Sequence, residues 1–409
     1  MEAHVTFRPQ HQVSRGQMET ALTAVLIVLL VGMVSAQAQT FTVLYEFTGA
    51  SDGAHPYRGS LLVDNKGNVY GAASGGGNTA CNPSFGCGVL FKINSKARES
   101  VLYTFNGSPD GAEPYVTAIA NPAGGGYAIA EYGGTGPCVR GLSGCGAIIK
   151  IDGTGKESVL YSFEGSPDGT YPQPGLVRDA AGNLYGTTEL GGTFDDGTVF
   201  RIDPSGAETV LYSFAGSSDG EWPTGGLVRD KKGNLYGTTE LGGADNVGTV
   251  FMLDSAGQET VMHSFGAGSD GAIPFAGLAH DAAGNLYGAT QSGGAHNYGA
   301  VFTISRATGQ ESVLYSFAGA PGDGSSPYAT LVVDAKGNLY GTTWNGGAND
   351  DGTVFKLDPA GDETLLHSFA GSDGRQIYGG LVLDAAGNLY GTALLGGIND
   401  NGTVFKLTP

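Results

Sequence analysis

Apolar and polar positions alternate with a period of two along short runs from residue 41 to the C-terminus. That is the pattern of half-buried β-strands. Pieces such as "ETVLYSF", "NLYGTT" and "GTVFRID" are separated by Gly, Asp, Asn and Ser, which turn a chain tightly. No helical apolar period appears beyond residue 38. The pieces keep a fixed order and recur about every 51 residues. Four classes of strand result. The first resembles "GLVRD" and begins near residues 60, 117, 175, 226, 277, 330 and 380. The second carries Tyr70, Tyr127, Tyr185, Tyr236, Tyr287, Tyr340 and Tyr390. The third resembles "GTVFRID", near 88, 146, 197, 248, 299, 352 and 402. The fourth ends at Phe47, Phe105, Phe163, Phe214, Phe265, Phe317 and Phe369.

Seven units of four short strands predict an all-β, seven-bladed β-propeller with four antiparallel strands per blade. A single blade cannot bury both faces, so residues 39–409 read as one closed domain. The first piece, "FTVLYEF" (41–47), is of the fourth class, and the last, "GTVFKLTP" (402–409), is of the third. The ring is therefore expected to close by pairing 41–47 antiparallel with 402–408. Within "RDAAGNLYGTT" (178–188), Asp179 and Gly182-Asn183 bracket a hairpin turn. Gly186 leaves room for an aromatic, expected from the adjacent blade. The motif "GNLYGTTELGG", identical at 182–192 and 233–243, reads as packing, with no ligand at its own residues.

Composition narrows the class. Gly is 72 of 409 residues without a collagen period, which fits many tight turns. The net charge is -19 and the 20 Lys and Arg are nowhere clustered, so nucleic acid and anionic membrane surfaces are poor partners. Residues 1–38 read as a signal peptide: Arg8 and Arg15, the apolar run 21–36, then Ala36-Gln37-Ala38. Cleavage after Ala38 and export to the periplasm, cell surface or medium are expected, with no stable membrane insertion. An uncleaved anchor is the rival reading, and Met18 an alternative start. After the C-terminal piece no sorting tail is expected.

All four cysteines lie in two enlarged loops between second and third strands. Local pairing, Cys81 with Cys87 and Cys138 with Cys145, would staple each loop. Pairing between the two blades is the alternative, and a zinc site has poor spacing. Each link between blades carries Asp-Gly, at Asp52, Asp110, Asp168, Asp219, Asp270, Asp323 and Asp373. This is a turn signal. Asp110, Asp168 and Asp219 are weak calcium candidates, and no other metal or cofactor is expected.

The same links place an aromatic beside a proline in six repeats, near the expected channel mouth: Tyr57, Tyr115, Tyr171, Trp222, Phe275 and Tyr328; Tyr378 holds the position in the repeat that has lost its proline. Trp344 ends a second strand on the same face. Such residues either pack the link or stack on a sugar ring or peptide side chain. Inner strands carry Val63, Ala120, Arg178, Arg229, His280, Val333 and Leu383 at one position. The run Arg178, Arg229, His280 suggests either ion pairs with Asp179, Asp230 and Asp281 or a small anion site. The sequence holds no nucleophile elbow, HExxH or phosphate loop.

The unit "VLYSFAGSSDGEWPTGGLVRDKKGNLYGTTELGGADNVGTVFMLD" (210–254) resembles the GloVer tandem repeat. The combination "SF-x-G-S-x-D-G", "GNLYGTT-x-x-GG" and "GTVFK" is specific to it. The resemblance implies an exported bacterial propeller-like protein and supplies no catalytic residues. The second repeat departs, reading "NPAGGGYAIAEYGG" where the turn Asp and Asn stand elsewhere. The expected function is a secreted, monomeric propeller binding a carbohydrate or extracellular protein on its loop-rich face. The alternatives are a propeller-fold polysaccharide lyase or hydrolase and a structural cell-surface protein.

Overall fold

The computed structural model describes residues 39–117, 125–138, 144–152, 156–266 and 268–409. The expected signal peptide and Ala120 lie outside the described residues. Between Thr40 and Thr408 the described residues are all-β and form seven sheets, the blades of a propeller, with one further two-stranded sheet of Gly324–Ser325 and Asn345–Gly346. Blade 3 shows the plan. Its inner strand Val177–Arg178 pairs with Leu184–Gly191, which pairs with Thr198–Ile202, which pairs with the outer strand Glu208–Ser213, all antiparallel. Six inner strands are two residues long, whereas blade 2 uses Ala112–Thr117. In blade 7 the outer strand is Thr40–Glu46, paired from Thr40 opposite Thr408 to Glu46 opposite Thr403. Phe47 N then donates to Gly402 O at 3.0 Å, as Phe214 N does to Gly197 O in blade 3.

The hairpin turn forms as its residues dictate. Gly182 N donates to Asp179 O at 3.1 Å. The Asp179 carboxylate accepts from Asn183 N, Asn183 Nδ2 and Tyr185 Oη. Burial raises the Asp179 pKa, but those hydrogen bonds win and hold it below the usual value. Asp64, Asp230, Asp281, Asp334 and Asp384 repeat the arrangement with their own Asn and Tyr.

A methyl group at Gly186 would lie 2.6 Å from Leu176 Cδ2 and 2.6 Å from Phe200 Cζ. Phe200 is directly opposite Gly186 in the same blade, not on the adjacent blade as expected. The physical reason is a relay. Phe200 lies back over the glycine, and its other side receives Phe163 of blade 2 edge-to-face at 5.1 Å. Phe214–Phe251, Phe265–Phe302, Phe317–Phe355 and Phe369–Phe405 continue the relay, and Phe47–Phe91 carries it from blade 7 to blade 1. Each such pair contributes about 0.5–1.5 kcal/mol beyond the area it buries. Blade 2 has Ile149 at that strand position, packed with Phe105.

Candidate functional site: the axial mouth

The links between blades set the frame of the mouth. His55, Glu113, Tyr171, Trp222, Ile273, Ser326 and Gln376 occupy one equivalent position, six of them immediately before a proline, and all have positive φ between 53° and 59°. Each donates its main-chain N–H to the preceding blade; Trp222 N, for example, reaches Asp196 O at 3.0 Å and Ser326 N reaches Tyr298 O at 2.8 Å. The proline that follows covers a glycine of that blade. A methyl at Gly197 would stand 2.5 Å from Pro223 Cδ, and one at Gly146 2.4 Å from Pro172 Cδ. This close approach explains the glycine that opens every third strand, including the "GCG" of the two cysteine loops.

Two residues beyond the positive-φ position, the links of blades 1, 5, 6 and 7 turn Tyr57, Phe275, Tyr328 and Tyr378 towards one another. Tyr378 meets Tyr57 at 4.5 Å, Tyr328 at 4.6 Å and Phe275 at 5.7 Å between ring centroids. Trp344 joins edge-on, 5.0 Å from Tyr378 and 5.6 Å from Tyr328. Five of the eight aromatics read from the sequence therefore converge. The other three do not join them. Tyr115 is fully buried and donates its hydroxyl to Glu131; its ring, tilted to that of Tyr57 with centroids 6.2 Å apart, belongs to the core on which Tyr57 packs. Tyr171 is buried against Tyr132 at 5.1 Å. Trp222 has no aromatic neighbour among the described residues.

At the centre stands Arg58, which sequence reasoning missed. Its guanidinium carbon lies 4.3 Å over the Phe275 ring, 5.4 Å from that of Tyr57 and 5.6 Å from that of Tyr378. Nη1 donates to Gln173 Oε1 at 2.6 Å, and Gln173 Nε2 donates to Glu189 Oε2 at 3.2 Å. Arg58 itself has positive φ, 42°. Such strain in a non-glycine residue persists only where its surroundings enforce it.

An arc of carboxylates faces the aromatics, half-buried on blades 2, 3 and 4: Glu113, Glu131, Glu189 and Glu240. Burial pushes Glu113 up to about 7. Burial also pushes Glu131 up to about 7, with Arg58 acting against it and Glu113 and Glu189 adding to it. Glu189 and Glu240 are raised by burial, and Arg58 opposes both shifts. The Arg58 pKa is lowered by burial but raised on balance by Tyr57, Tyr378, Glu131 and Glu189. Glu189 and Glu240 belong to the motif that reads as pure packing. The residue after its two threonines, or their counterparts, is Ser74, Glu131, Glu189, Glu240, Gln291, Trp344 and Leu394 in successive blades. That variation at a fixed place was the available signal. Below the mouth lies a cavity of about 210 Å³ lined by Arg58, the starts of inner strands, Phe275, Tyr328 and Tyr378.

The remaining sequence candidates fall elsewhere. Asp168 and Asp219 accept hydrogen bonds from Tyr161 and Tyr212 at 2.9 Å and 2.8 Å, and Asp110 from Tyr103. Each Asp-Gly carboxylate thus closes its own link against its own outer strand. Among the described residues no three such groups gather where a metal could sit. Arg178 and Arg229 form no ion pair with Asp179 or Asp230: both carboxylates accept from their own hairpin turns, and the charged partner of Asp230 is Arg306, at 3.9 Å. Arg229 instead stacks 5.4 Å from the Tyr185 ring of blade 3, and both guanidinium groups lie against the glycine of their own turn. His280 is exposed, with Nδ1 3.0 Å from Asp281 O. The cysteines pair locally, Cys81–Cys87 and Cys138–Cys145, and bind down the loops of blades 1 and 2.

These features define a seven-bladed propeller whose axial mouth is ringed by aromatics on one side and carboxylates on the other. The chain belongs to the Gloeobacter/Verrucomicrobia repeat family, which matches residues 138–332 and 320–409. In fold it is similar to the extracellular domain of a putative one component system, BT4673, from B. thetaiotaomicron, at 15% identity and a TM-score of 0.53, covering 91% of this chain and 42% of that one. It is likewise similar to the extracellular domain of the putative hybrid two component system BT4673, at 14% identity and a TM-score of 0.52, covering 90% of this chain and 39% of that one. The chain thus spans about two-fifths of the length of those structures. No curated protein matches.

Proposed function

We propose that the chain is an exported propeller that binds a carbohydrate at its axial mouth. The observation that carries this reading is the convergence of Tyr57, Phe275, Tyr328, Trp344 and Tyr378, opposed by half-buried glutamates. Ring faces bind the apolar faces of sugars with little loss of side-chain freedom, and carboxylates accept from sugar hydroxyls. The N-terminal signal-like segment and the two disulfides support an oxidising compartment outside the cytoplasm. Glycan-array binding that disappears in Tyr328→Ala and in Trp344→Ala, with unchanged melting temperatures, is the expected result. An array without binding would sink the reading. A second reading, a polysaccharide-cleaving enzyme, draws support from Glu113 and Glu131, both poised near neutrality as a general acid or base requires. Its readout is product release from the same glycans.

A further inference from the structure

We propose that Arg58 is a carboxylate-recognition residue, and that the sugar bound at the mouth bears a uronic acid. The inference rests on the carbohydrate reading and adds the ligand's charge. A guanidinium carries five N–H donors in a rigid fork that matches a carboxylate. In Arg58 the guanidinium reaches the neutral Gln173 and meets the Tyr378 hydroxyl, while Nε is buried with no partner. No ion pair holds Arg58 among the described residues. A desolvated cation without a contacting anion is costly unless something completes it. The glutamates of the mouth influence Arg58 through space, and Glu131, held near neutrality by burial, is only a partial counter-charge.

The placement is specific to one blade. Where blade 1 has Arg58, the other six have Val116, Pro174, Gly225, Ala276, Ala329 and Gly379. None of these carries charge, so the cation is not part of the repeated frame. Arg58 also lines the cavity beneath the mouth, whose other walls are glycine backbone, apolar side chains and the hydroxyls of Ser60, Thr224, Thr330, Tyr328 and Tyr378. At about 210 Å³ this chamber falls below the roughly 300 Å³ at which whole-ligand pockets begin. It suits one acidic substituent, with the rest of the sugar chain stacked in the aromatic mouth above.

The ionisable groups facing Arg58 are Glu131, Glu189 and Glu240 from second strands, and Tyr57, Tyr328 and Tyr378; Glu113 of the blade 2 link acts on Glu131 behind them. The ligand carboxylate stays ionised through neutral pH, so the glutamates set the trend. Affinity rises from pH 8 to pH 6, as Glu131 takes up a proton around 7 and ceases to repel the ligand.

The test is titration calorimetry with galacturonate, glucuronate and mannuronate disaccharides, each beside its methyl ester. The wild type should bind at least one acid roughly tenfold to a hundredfold more tightly than its ester. Arg58→Gln should lower the affinity for the acid to that of the ester, and Arg58→Lys should recover part of the difference. Equal binding of acid and ester by the wild type overturns the inference and leaves the carbohydrate reading standing. Retention of the preference in a folded Arg58→Gln variant overturns the role of Arg58. Binding of neither acid nor ester overturns both.

Discussion

Phe47→Ala measures how firmly the ring is closed. Phe47 ends the one outer strand that is not continuous with its blade. It is 1% exposed and lies edge-to-face on Phe91 of blade 1 at 5.2 Å, with Tyr45 at 5.2 Å behind it. Its counterpart in an uninterrupted blade, Phe214, is 0% exposed, 5.1 Å from Phe251 and 5.1 Å from Tyr212. Burial and ring geometry are therefore matched, and only chain continuity differs. Truncating a buried Phe to Ala costs about 3–5 kcal/mol, of which the lost cavity lining is a large share. If the closing strand is held as firmly as a continuous one, Phe47→Ala and Phe214→Ala should agree within about 1 kcal/mol. A strand that frays would spend part of its time with Phe47 already unpacked, and its truncation would cost less. Urea unfolding followed by far-UV circular dichroism and by tryptophan fluorescence, with coincident transitions, gives both values. A cost below about 1 kcal/mol for Phe47→Ala beside a full cost for Phe214→Ala would refute closure by this strand.

Two further perturbations follow from the same packing and charges. Gly237→Ala places a methyl 2.7 Å from Phe251 Cζ and should cost about 1–3 kcal/mol, whereas Gly322→Ala meets nothing within 4 Å and should change stability little; equal urea midpoints would contradict the relay. Glu208, Glu259, Glu311 and Glu363 are pushed up to about 7 by burial and by the aspartate of the preceding link, from an ordinary 4.5. Protonation favours the folded form, so their contribution is complete below pH 4.5 and is lost as pH rises through 7. The turn aspartates such as Asp179 and Asp334 are held below 3.8, and their contribution is lost only as pH falls further. Stability should therefore peak at about pH 4–5, and a urea midpoint that is highest at neutral pH would contradict this.

The frame was legible because its causes are local or repeated. Asp179, Asn183 and Tyr185 are close in sequence and hold one turn, and seven copies announce seven blades. The partner of Gly186 was harder, since period-two alternation says which side a residue faces but not which aromatic fills the space. The mouth was least legible. Tyr57, Phe275, Tyr328 and Tyr378 carry an aligned position, so most of the aromatic arc could be read. Arg58 is an unremarked single residue after Tyr57, and its meaning lies in rings and carboxylates supplied by other blades. Glu189 and Glu240 were hidden by repetition itself: identical neighbouring copies look like scaffold, and only comparison with Ser74, Gln291, Trp344 and Leu394 separates that position from the rest. Arg178 and Arg229 misled because successive residues of a strand point to opposite faces, so adjacency in sequence to an aspartate does not make an ion pair; Asp230 pairs instead with the distant Arg306.

One position in the links has a consequence for how such proteins diversify. From His55 to Gln376 the seven residues with positive φ share a main-chain shape that is fixed by peptide hydrogen bonds to the preceding blade. All seven side chains differ in kind. Tyr171 is buried; the backbone thus offers six addressable slots whose main-chain shape is set by peptide hydrogen bonds. A combinatorial library confined to these slots would vary what the rim presents while leaving the frame intact, and gene duplication of a single blade would already supply the means for nature to do the same.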